Sequence, residues 1–423
     1  MTRPIPTNLL PDSAAQGDDG WLTIGGCSLE ELGHEYGTPL FVYDEEHLRA
    51  RCREAVAAFP DGVAYATKAF LCRAMARLAL EEGMRLDVAT MGELHVALAV
   101  GATGDQLVVH GNNKSLDELR AARKAKATIV VDSFDELDRL DVLHAEDRVR
   151  PRVLVRITPG VEAHTHEFIR TGQFDSKFGF GFGSGDAERA IERAAASESV
   201  AFDGLHLHIG SQVFVADFFH QAIDVVAPFV RDLELGELSI GGGLGVAYVD
   251  GEEAPTITQW ARSVRDASAA AGINARITAE PGRAIVASSA VTLYTVGTVK
   301  ELPDIRTYVS VDGGMSDNPR PVLYGSGYEA FLPRDPFADR PRVVRIVGKH
   351  CESGDVLVRD AAVPADLAVG DLLATPVTGA YGHSMGSNYN KVLRPSVVFV
   401  AGGDARLVVR RETLDDLLGT DLG

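Results

Sequence analysis

The sequence predicts an α/β protein that combines a (β/α)8 barrel of the TIM type with a mostly β C-terminal domain. Eight short apolar segments alternate with amphipathic segments from about residue 63 to residue 280, and this alternation and span match such a barrel. A doubly wound open sheet would also alternate strands and helices. The barrel is favoured because residues with reactive side chains follow several of the strands, where barrel enzymes have their active sites.

The expected domain boundaries follow changes in the pattern along the chain. We expect residues 1–40 to pack with the β domain, residues 41–286 to form the barrel, and residues 287–423 to form an antiparallel or barrel-like β domain. The predicted barrel strands are residues 63–66, 86–89, 107–109, 128–131, 153–157, 204–209, 238–241 and 277–280. The predicted strands of the β domain are residues 291–296, 307–311, 343–347, 356–358, 372–377 and 397–400.

Composition argues against several kinds of partner and site. The 423 residues include 41 basic and 60 acidic side chains, a formal charge of −19, which argues against nucleic acid and acidic membranes as partners. No apolar run approaches the roughly 20 residues that span a bilayer, and the N-terminus lacks the apolar core of a signal peptide. The four cysteines have no Cys-x-x-Cys spacing, so we expect no zinc cluster, no disulfide framework and a cytoplasmic location.

The first predicted barrel strand leads into Lys68. The strand is nearly all small or β-branched, which is typical of a buried strand in a parallel sheet, so we expect the lysine at its carboxyl end to be buried. A buried amine gives up its charge more readily and is then a nucleophile towards carbonyl groups. Lys68 is therefore a candidate catalytic residue. The alternative is a lysine beyond the strand end whose amine reaches water.

The sixth predicted strand contains two histidines. His206 and His208 alternate with apolar residues, which places both on the face inside the barrel. Two histidines at this spacing could bind a metal, but no obvious carboxylate or cysteine nearby completes a site, so we predict none. The favoured interpretation is an imidazole that stacks on a flat cofactor ring, with Ser211 donating to a phosphate.

The last two predicted strands end in further candidates. Gly241, Gly242 and Gly243 follow the seventh strand, where barrels often bind phosphate, although a glycine run also suits a simple tight turn. Glu280 ends the eighth strand and could pair with the protonated ring nitrogen of a pyridine cofactor. Arg283 could bind a substrate carboxylate. A structural Glu–Arg pair is the alternative.

The β domain adds three candidates in polar, turn-rich segments. Arg320 and Tyr324 could form a second carboxylate-binding pair, and Cys351 could be a proton donor. Such segments usually serve as solvated connectors, and a lone cysteine of this kind could equally be a buried structural thiol.

From Phe41 to Val398 the chain resembles the fold-type III pyridoxal-phosphate decarboxylases, the family of ornithine, diaminopimelate and arginine decarboxylases. The motifs are residues 65–69, 110–115, 159–166, 177–179, 208–211, 241–245, 280–283, 312–324, 351–355 and 379–390. The Cys-Glu-Ser-Gly-Asp stretch at 351–355, with Arg320 and Tyr324, points to the diaminopimelate branch.

The resemblance implies that the barrel binds pyridoxal 5'-phosphate. Lys68 would join the cofactor covalently, His208 would stack on its ring, and Glu280 would pair with its ring nitrogen. The phosphate would be held by Ser211, by Gly241, Gly242 and Gly243, and by the backbone around Gly282 and Arg283.

The resemblance also implies how the substrate binds. The carboxylate of its non-reacting end would be bound by Arg283, Arg320 and Tyr324. Glu352 of the partner subunit would bind the distal amine, and Cys351 of the partner subunit would return the proton. Tyr381 would close the site over cofactor and substrate. The active sites would therefore be shared across a homodimer.

The implied reaction is decarboxylation of meso-2,6-diaminopimelate to L-lysine and carbon dioxide, the last step of lysine biosynthesis. Two alternatives are a related decarboxylase acting on another diamino acid or acyl substrate in a secondary pathway, and a cofactor-binding regulatory paralogue without turnover. One departure from the family is Met91, which stands where a glycine is usual and could alter the conformation of the loop, since glycine tolerates backbone angles that methionine does not.

Overall fold

The structure, a computed structural model, describes residues 4–159, 176–208, 210–215, 217–231 and 233–423. Of the motif at 159–166 only Pro159 is described, and Ile209 of the 208–211 motif also lies outside the described residues. The chain divides into two compact units. The first consists of Met1–Ala50, Ala247–Glu253 and Ile285–Gly423, and the second of Arg51–Val246 and Ala254–Ala284.

The N-terminal segment begins with a small antiparallel sheet, followed by a helix, a strand and a second helix. These elements are β1 (Ala15–Gln16), β2 (Leu22–Ile24), β3 (Cys27–Ser28), α1 (Leu29–Tyr36), β4 (Leu40–Asp44) and α2 (Glu45–Ala58).

The second unit is built on parallel strands. They are β5 (Ala64–Ala66), β6 (Arg85–Val88), β7 (Leu107–Val109), β8 (Thr128–Val131), β9 (Arg152–Thr158), β10 (Phe180–Gly181), β11 (Ala201–Leu207), β12 (Glu237–Ser239) and β13 (Arg276–Thr278). Within the described residues, all but β10 follow one another around a ring in chain order. The ring is closed where Val63 bridges Ala279 in parallel and the Ala64 amide donates to the Ala279 carbonyl at 2.9 Å. The predicted eight-stranded barrel is confirmed.

Helices alternate with these strands as expected. They are α3 (Arg73–Glu81), α4 (Met91–Ala99), α5 (Leu116–Lys124), α6 (Phe134–Asp147), α7 (Asp186–Ala195), α8 (Asp217–Val230) and α9 (Ile257–Ala270). Small and branched side chains from four strands pack together in the core, as in barrels whose interior is filled by side chains. These residues are Ala64, Val108, Val130 and Leu154.

Met91 lies in a regular helical turn of the backbone. It is the first residue of α4, it has no positive φ, and its N–H donates to Glu118 Oε1 at 3.0 Å. A methionine fits this position because a helical first turn, unlike a left-handed turn, does not require glycine.

The C-terminal part of the first unit is rich in strands. It follows α10 (Arg283–Val286), which begins in the second unit. Its elements are β14 (Ala290–Leu302), β15 (Arg306–Val311), α11 (Arg320–Tyr324), β16 (Arg342–Val347), β17 (Val356–Val363), β18 (Leu372–Pro376), β19 (Ser396–Ala401), β20 (Asp404–Val409) and α12 (Leu414–Leu418). The sheet order is β17-β16-β15-β14-β4-β19-β20, with β18 also paired to β14. The predicted mostly β domain is confirmed, and the N-terminal segment contributes β4 to it.

Two features of this sheet differ from expectation. Residues 41–50 were assigned to the barrel, but β4 lies between β14 and β19 because its backbone pairs with both. The sheet was expected to be antiparallel, yet β15 pairs in parallel with β16, and β4 with β19. Long connections between these strands allow the crossovers that parallel pairing requires. No helix in the described part of the chain is both long enough and apolar enough to cross a membrane.

Candidate active site

Lys68 lies just beyond the end of strand β5. The strand ends at Ala66, and Lys68 is the middle residue of the 3-10 turn Thr67–Ala69. The Thr67 hydroxyl donates to the Asp87 carbonyl at 2.8 Å, which ties this turn to β6. The Lys68 side chain is exposed. The predicted burial of Lys68 is therefore wrong, because the strand stops two residues before the lysine and the turn lifts it out of the sheet.

Glu280 is the buried carboxylate at the end of β13, and among the described residues three side chains lie within hydrogen-bond distance of it. His206 Nε2 lies 2.8 Å from Glu280 Oε2, while His110 Nε2 and the Ser239 hydroxyl lie 3.2 and 3.1 Å from Glu280 Oε1. Burial alone would raise the pKa of Glu280, but the two imidazoles outweigh it and hold the pKa well below its usual range. Glu280 is therefore ionised at neutral pH.

The pKa values of the two histidines beside Glu280 are shifted in opposite directions. Burial lowers the pKa of His206 to about 4, so His206 is neutral at pH 7 and donates its Nε2–H to Glu280. Burial would also lower the pKa of His110, but Asp87 and Glu280 outweigh it, and the pKa of His110 is raised. Of the two imidazoles, His110 is therefore the one that is more readily protonated.

A carboxylate that could complete a metal site does lie beside His206. Glu280 supplies the carboxylate next to His206 that was not evident along the chain, and ligand atoms of His110, His206 and Glu280 lie within 4.8 Å of one another. Imidazole and carboxylate donors suit several transition metals. A metal ion here and a cofactor ring nitrogen would compete for the same Glu280 oxygens.

His208 lies beyond the end of β11, against the glycine run. Gly242 N–H donates to His208 Nδ1 at 3.3 Å. Desolvation and the neighbouring Lys68 amine hold the pKa of His208 well below its usual range, so its ring is neutral. A neutral, half-buried imidazole is suited to stacking on a flat aromatic ring.

The glycine run forms a turn that no other residue would fit. Gly243 has φ +110°, and a Cβ at this position would lie 2.3 Å from the Gly210 carbonyl oxygen. At Gly242 a Cβ would lie 2.3 Å from the Glu280 carbonyl oxygen. Only glycine therefore allows the backbone to pack this closely against the Glu280 and Gly210 segments.

Ser211 and Arg283 are in contact with each other. The Arg283 side chain is buried, and its Nη2 donates to the Ser211 hydroxyl at 2.8 Å. Gly282, the residue before it, lies so close to β5 that a Cβ would be 2.9 Å from the Ala66 carbonyl oxygen. Ser211, which was predicted to bind a phosphate, and Arg283, which follows β13, thus lie together at one end of the barrel.

The remaining predicted residues belong to the β-rich unit. Arg320 and Tyr324 are the first and last residues of α11, Arg320 buried and Tyr324 half-buried. Tyr381 is half-buried and has φ +62°, an uncommon conformation for a residue other than glycine.

Cys351 and Glu352 lie in the turn between β16 and β17, and both are exposed. A buried structural thiol is therefore excluded for Cys351. The turn is anchored by buried Asp355, whose Oδ2 lies 2.8 Å from His350 Nδ1 and accepts the His350 N–H at 3.0 Å. The Cys351 N–H donates to Asn390 Oδ1 at 3.0 Å, and His350 stacks on Tyr389.

His383, in the same 379–390 segment, gives a prediction for stability. Burial and the nearby Arg394 lower the pKa of His383 from 6.5 to about 4. Neutral His383 therefore stabilises the fold above about pH 6.5, and this contribution is lost as the pH falls towards 4. Relative to His383→Gln, the native protein should lose about 3 kcal/mol of stability between pH 7 and pH 4. Urea unfolding of both proteins across this range measures the difference, and parallel curves would contradict it.

Comparison with known proteins gives the family of this chain. A sequence model of the family "Pyridoxal-dependent decarboxylase, pyridoxal binding domain" matches residues 45–287. The diaminopimelate decarboxylase of Mycobacterium tuberculosis (strain ATCC 25618 / H37Rv) is 47% identical, covering 99% of this chain and 98% of its own. That of Bacillus subtilis (strain 168) is 44% identical over 98% of each chain. The chain belongs to the diaminopimelate decarboxylase family.

Solved structures of this family share the fold. The diaminopimelate decarboxylase of M. jannaschii in co-complex with L-lysine superposes with a TM-score of 0.91 at 32% identity, over 97% of this chain and 98% of that one. The diaminopimelate decarboxylase of Helicobacter pylori complexed with L-lysine superposes with a TM-score of 0.84 at 30% identity, over 92% of this chain and 98% of that one. The resemblance drawn from the motifs is confirmed.

Sequence reasoning missed two of the residues that hold Glu280. His110 follows β7 and Ser239 ends β12, so both lie at strand ends on the same side of the barrel as Glu280. His110 could have been singled out, because it is the first residue of the motif at 110–115. Its contact with Glu280 could not, because it depends on closure of the barrel.

Proposed function

We propose that this protein decarboxylates meso-2,6-diaminopimelate to L-lysine and carbon dioxide, with pyridoxal 5'-phosphate bound at the carboxyl ends of the barrel strands. The observation that carries the proposal is Glu280, a buried carboxylate kept ionised by His110 and His206 in a barrel that also presents Lys68. Membership of the diaminopimelate decarboxylase family supports the choice of substrate.

The side chains of the barrel fit this cofactor. Pyridoxal phosphate carries an aldehyde, a phosphate and a ring nitrogen. The barrel offers the amine of Lys68, the glycine turn at Gly242 and Gly243, and the carboxylate of Glu280, with the flat ring of His208 beside the turn. When bound, the cofactor withdraws the electron pair left by the departing carbon dioxide.

The residues of the chain would perform the remaining tasks. Lys68 would hold the cofactor aldehyde and release it to the substrate amine. Glu280 would keep a proton on the ring nitrogen, because an ionised, desolvated carboxylate stabilises the protonated form. His208 would stack on the ring and hold it in position. The phosphate would lie against the Gly241–Gly243 amides and Ser211, near Gly282 and Arg283.

The non-reacting end of the substrate carries one amine and one carboxylate, and the chain has a group for each. Arg283, Arg320 and Tyr324 would bind the carboxylate, since a guanidinium matches its two oxygens. Glu352 would bind the amine. A site built for both groups rejects analogues that lack either one.

We also propose a homodimer in which Cys351 and Glu352 act in the partner's site, with Tyr381 closing it over cofactor and substrate. The exposure of Cys351 and Glu352 supports this arrangement. Mixing inactive Lys68→Ala and Cys351→Ala subunits tests it, because hybrid dimers would contain one intact site; no recovered activity would refute it. The four cysteines are all free thiols, which supports the proposed cytoplasmic location.

The direct experiment is a carbon dioxide release assay on the purified protein, with and without added pyridoxal phosphate. Meso-2,6-diaminopimelate, ornithine and arginine are compared side by side. Release from meso-diaminopimelate alone is expected. A preference for another diamino acid would support the secondary-pathway alternative. A bound cofactor without release from any substrate would support a regulatory paralogue.

Cys351→Ala should retain substrate binding but lose turnover. Proton transfer by a positioned side chain contributes about 10²- to 10⁴-fold, so we expect kcat to fall by about 10²-fold or more while KM changes by less than about threefold. Steady-state kinetics measure both constants. Lys349→Ala, an exposed neighbour in the same turn, is the control. An undiminished kcat in Cys351→Ala would remove its role as proton donor.

A further inference from the structure

The Arg320 guanidinium is buried without a carboxylate partner. Arg320 is only 5% exposed. In the part of the chain that the structure describes, no aspartate or glutamate forms an ion pair with it, and its side-chain hydrogen bond goes to a tyrosine. An unpaired buried charge is costly. A site of this kind favours an anion supplied from outside the chain.

Two tyrosines surround this guanidinium. Its central carbon lies 4.2 Å from the centroid of the Tyr248 ring and 5.6 Å from that of Tyr328. Arg320 Nη1 also donates to the Tyr328 hydroxyl at 2.5 Å. Aromatic faces attract a guanidinium and fix its plane without neutralising its charge. A carboxylate in their place would neutralise Arg320 and compete with an incoming anion.

The Tyr248 ring is held in place by contacts of its own segment. Its edge faces Tyr328, with centroids 5.2 Å apart at 76°. Two residues on, the Asp250 N–H donates to Glu329 Oε1 at 3.3 Å. The Tyr248 N–H donates to Glu252 Oε2 at 2.8 Å. The segment Ala247–Glu253 is thus fastened to the segment that carries Tyr328, and both rings are fixed around Arg320.

We propose that Tyr248 and Tyr328 are positioning residues that hold Arg320 in the plane needed to bind the carboxylate at the non-reacting end of the substrate. The proposal rests on the proposed function, which assigns that carboxylate to Arg320. It adds that selection for the carboxylate depends on two residues that do not themselves bind it. Tyr248 supplies a ring face, and Tyr328 supplies a ring and a hydrogen-bond acceptor.

The test compares two ligands that differ only in this group. L-lysine keeps the carboxylate, and cadaverine is the same diamine without it. Affinities of the holoenzyme for both are measured by isothermal titration calorimetry, and the readout is their ratio. Native protein should prefer L-lysine, and Arg320→Ala should sharply reduce the preference, although Arg283 and Tyr324 remain.

The tyrosine variants separate positioning from general damage. Tyr248→Leu removes the ring face and should reduce the L-lysine preference about tenfold while leaving cadaverine binding unchanged. Tyr328→Phe removes only the hydroxyl and should also reduce it about tenfold. Tyr248→Phe keeps the ring and should restore the native ratio within about twofold. Because both phenylalanine variants preserve packing, the test stands even if Tyr248→Leu does not fold.

The outcomes distinguish this inference from the proposed function. If native protein has no preference, or Arg320→Ala keeps it, the assignment of the carboxylate to Arg320 fails. If Arg320→Ala loses the preference but Tyr328→Phe and Tyr248→Leu keep it, the positioning role is overturned. If a tyrosine variant lost equal affinity for L-lysine and cadaverine, the positioning role would likewise be overturned, because the loss would not depend on the carboxylate.

Discussion

Replacing Lys68 with alanine is expected to abolish both turnover and the absorbance of the bound coenzyme. Without the amine no covalent attachment forms, and the activity with meso-diaminopimelate should fall by about 10⁴-fold or more. The spectrum and the carbon dioxide assay, run on the same preparation, measure the two effects.

The matched control for this variant is Lys124→Ala. Lys124 is an exposed lysine at the end of α5, so its loss should leave both spectrum and rate at native values. A Lys68→Ala protein that still shows the coenzyme spectrum after dialysis would remove Lys68 from its role.

Replacing Glu280 with glutamine is expected to have the second-largest effect. Glutamine keeps the shape but not the charge, so the cofactor ring nitrogen would lose the partner that keeps it protonated. A preorganised polar group that stabilises developing charge increases the reaction rate by about 10²- to 10³-fold, and we expect kcat/KM to fall by that amount. Steady-state kinetics with saturating pyridoxal phosphate measure the loss.

Two further variants show whether loss of the Glu280 charge causes the fall in kcat/KM. Glu146→Gln removes an exposed carboxylate and should leave kcat/KM unchanged. Ser239→Ala removes one hydrogen bond to Glu280 while both imidazoles remain, so its effect should be smaller than that of Glu280→Gln. Near-native kcat/KM in Glu280→Gln would show that the ring nitrogen does not depend on this carboxylate.

The barrel was predictable because each strand carries its own signal. Apolar segments such as β7 and β8 were found at their observed bounds, since a buried parallel strand is apolar along its whole length. The same apolar character made it impossible to predict from the sequence which sheet contains β4. All five of its residues are buried, and an apolar strand does not reveal from its sequence which sheet it joins.

The candidate site was predictable one residue at a time, but its network was not. Glu280 was identified from its place at a strand end. His110 is 170 residues away in the sequence, and only the closure of the ring brings it within 3.2 Å. The exposure of Lys68 depends on where β5 stops, and a local pattern fixes strand ends poorly.

Borohydride reduction of the native holoenzyme, followed by peptide mapping, tests the central claim most directly. Reduction fixes pyridoxal phosphate to the amine that holds it. The label is expected on Lys68 and on no other residue. Label on a different lysine, or no label in protein that retains its coenzyme, would contradict the proposed active site.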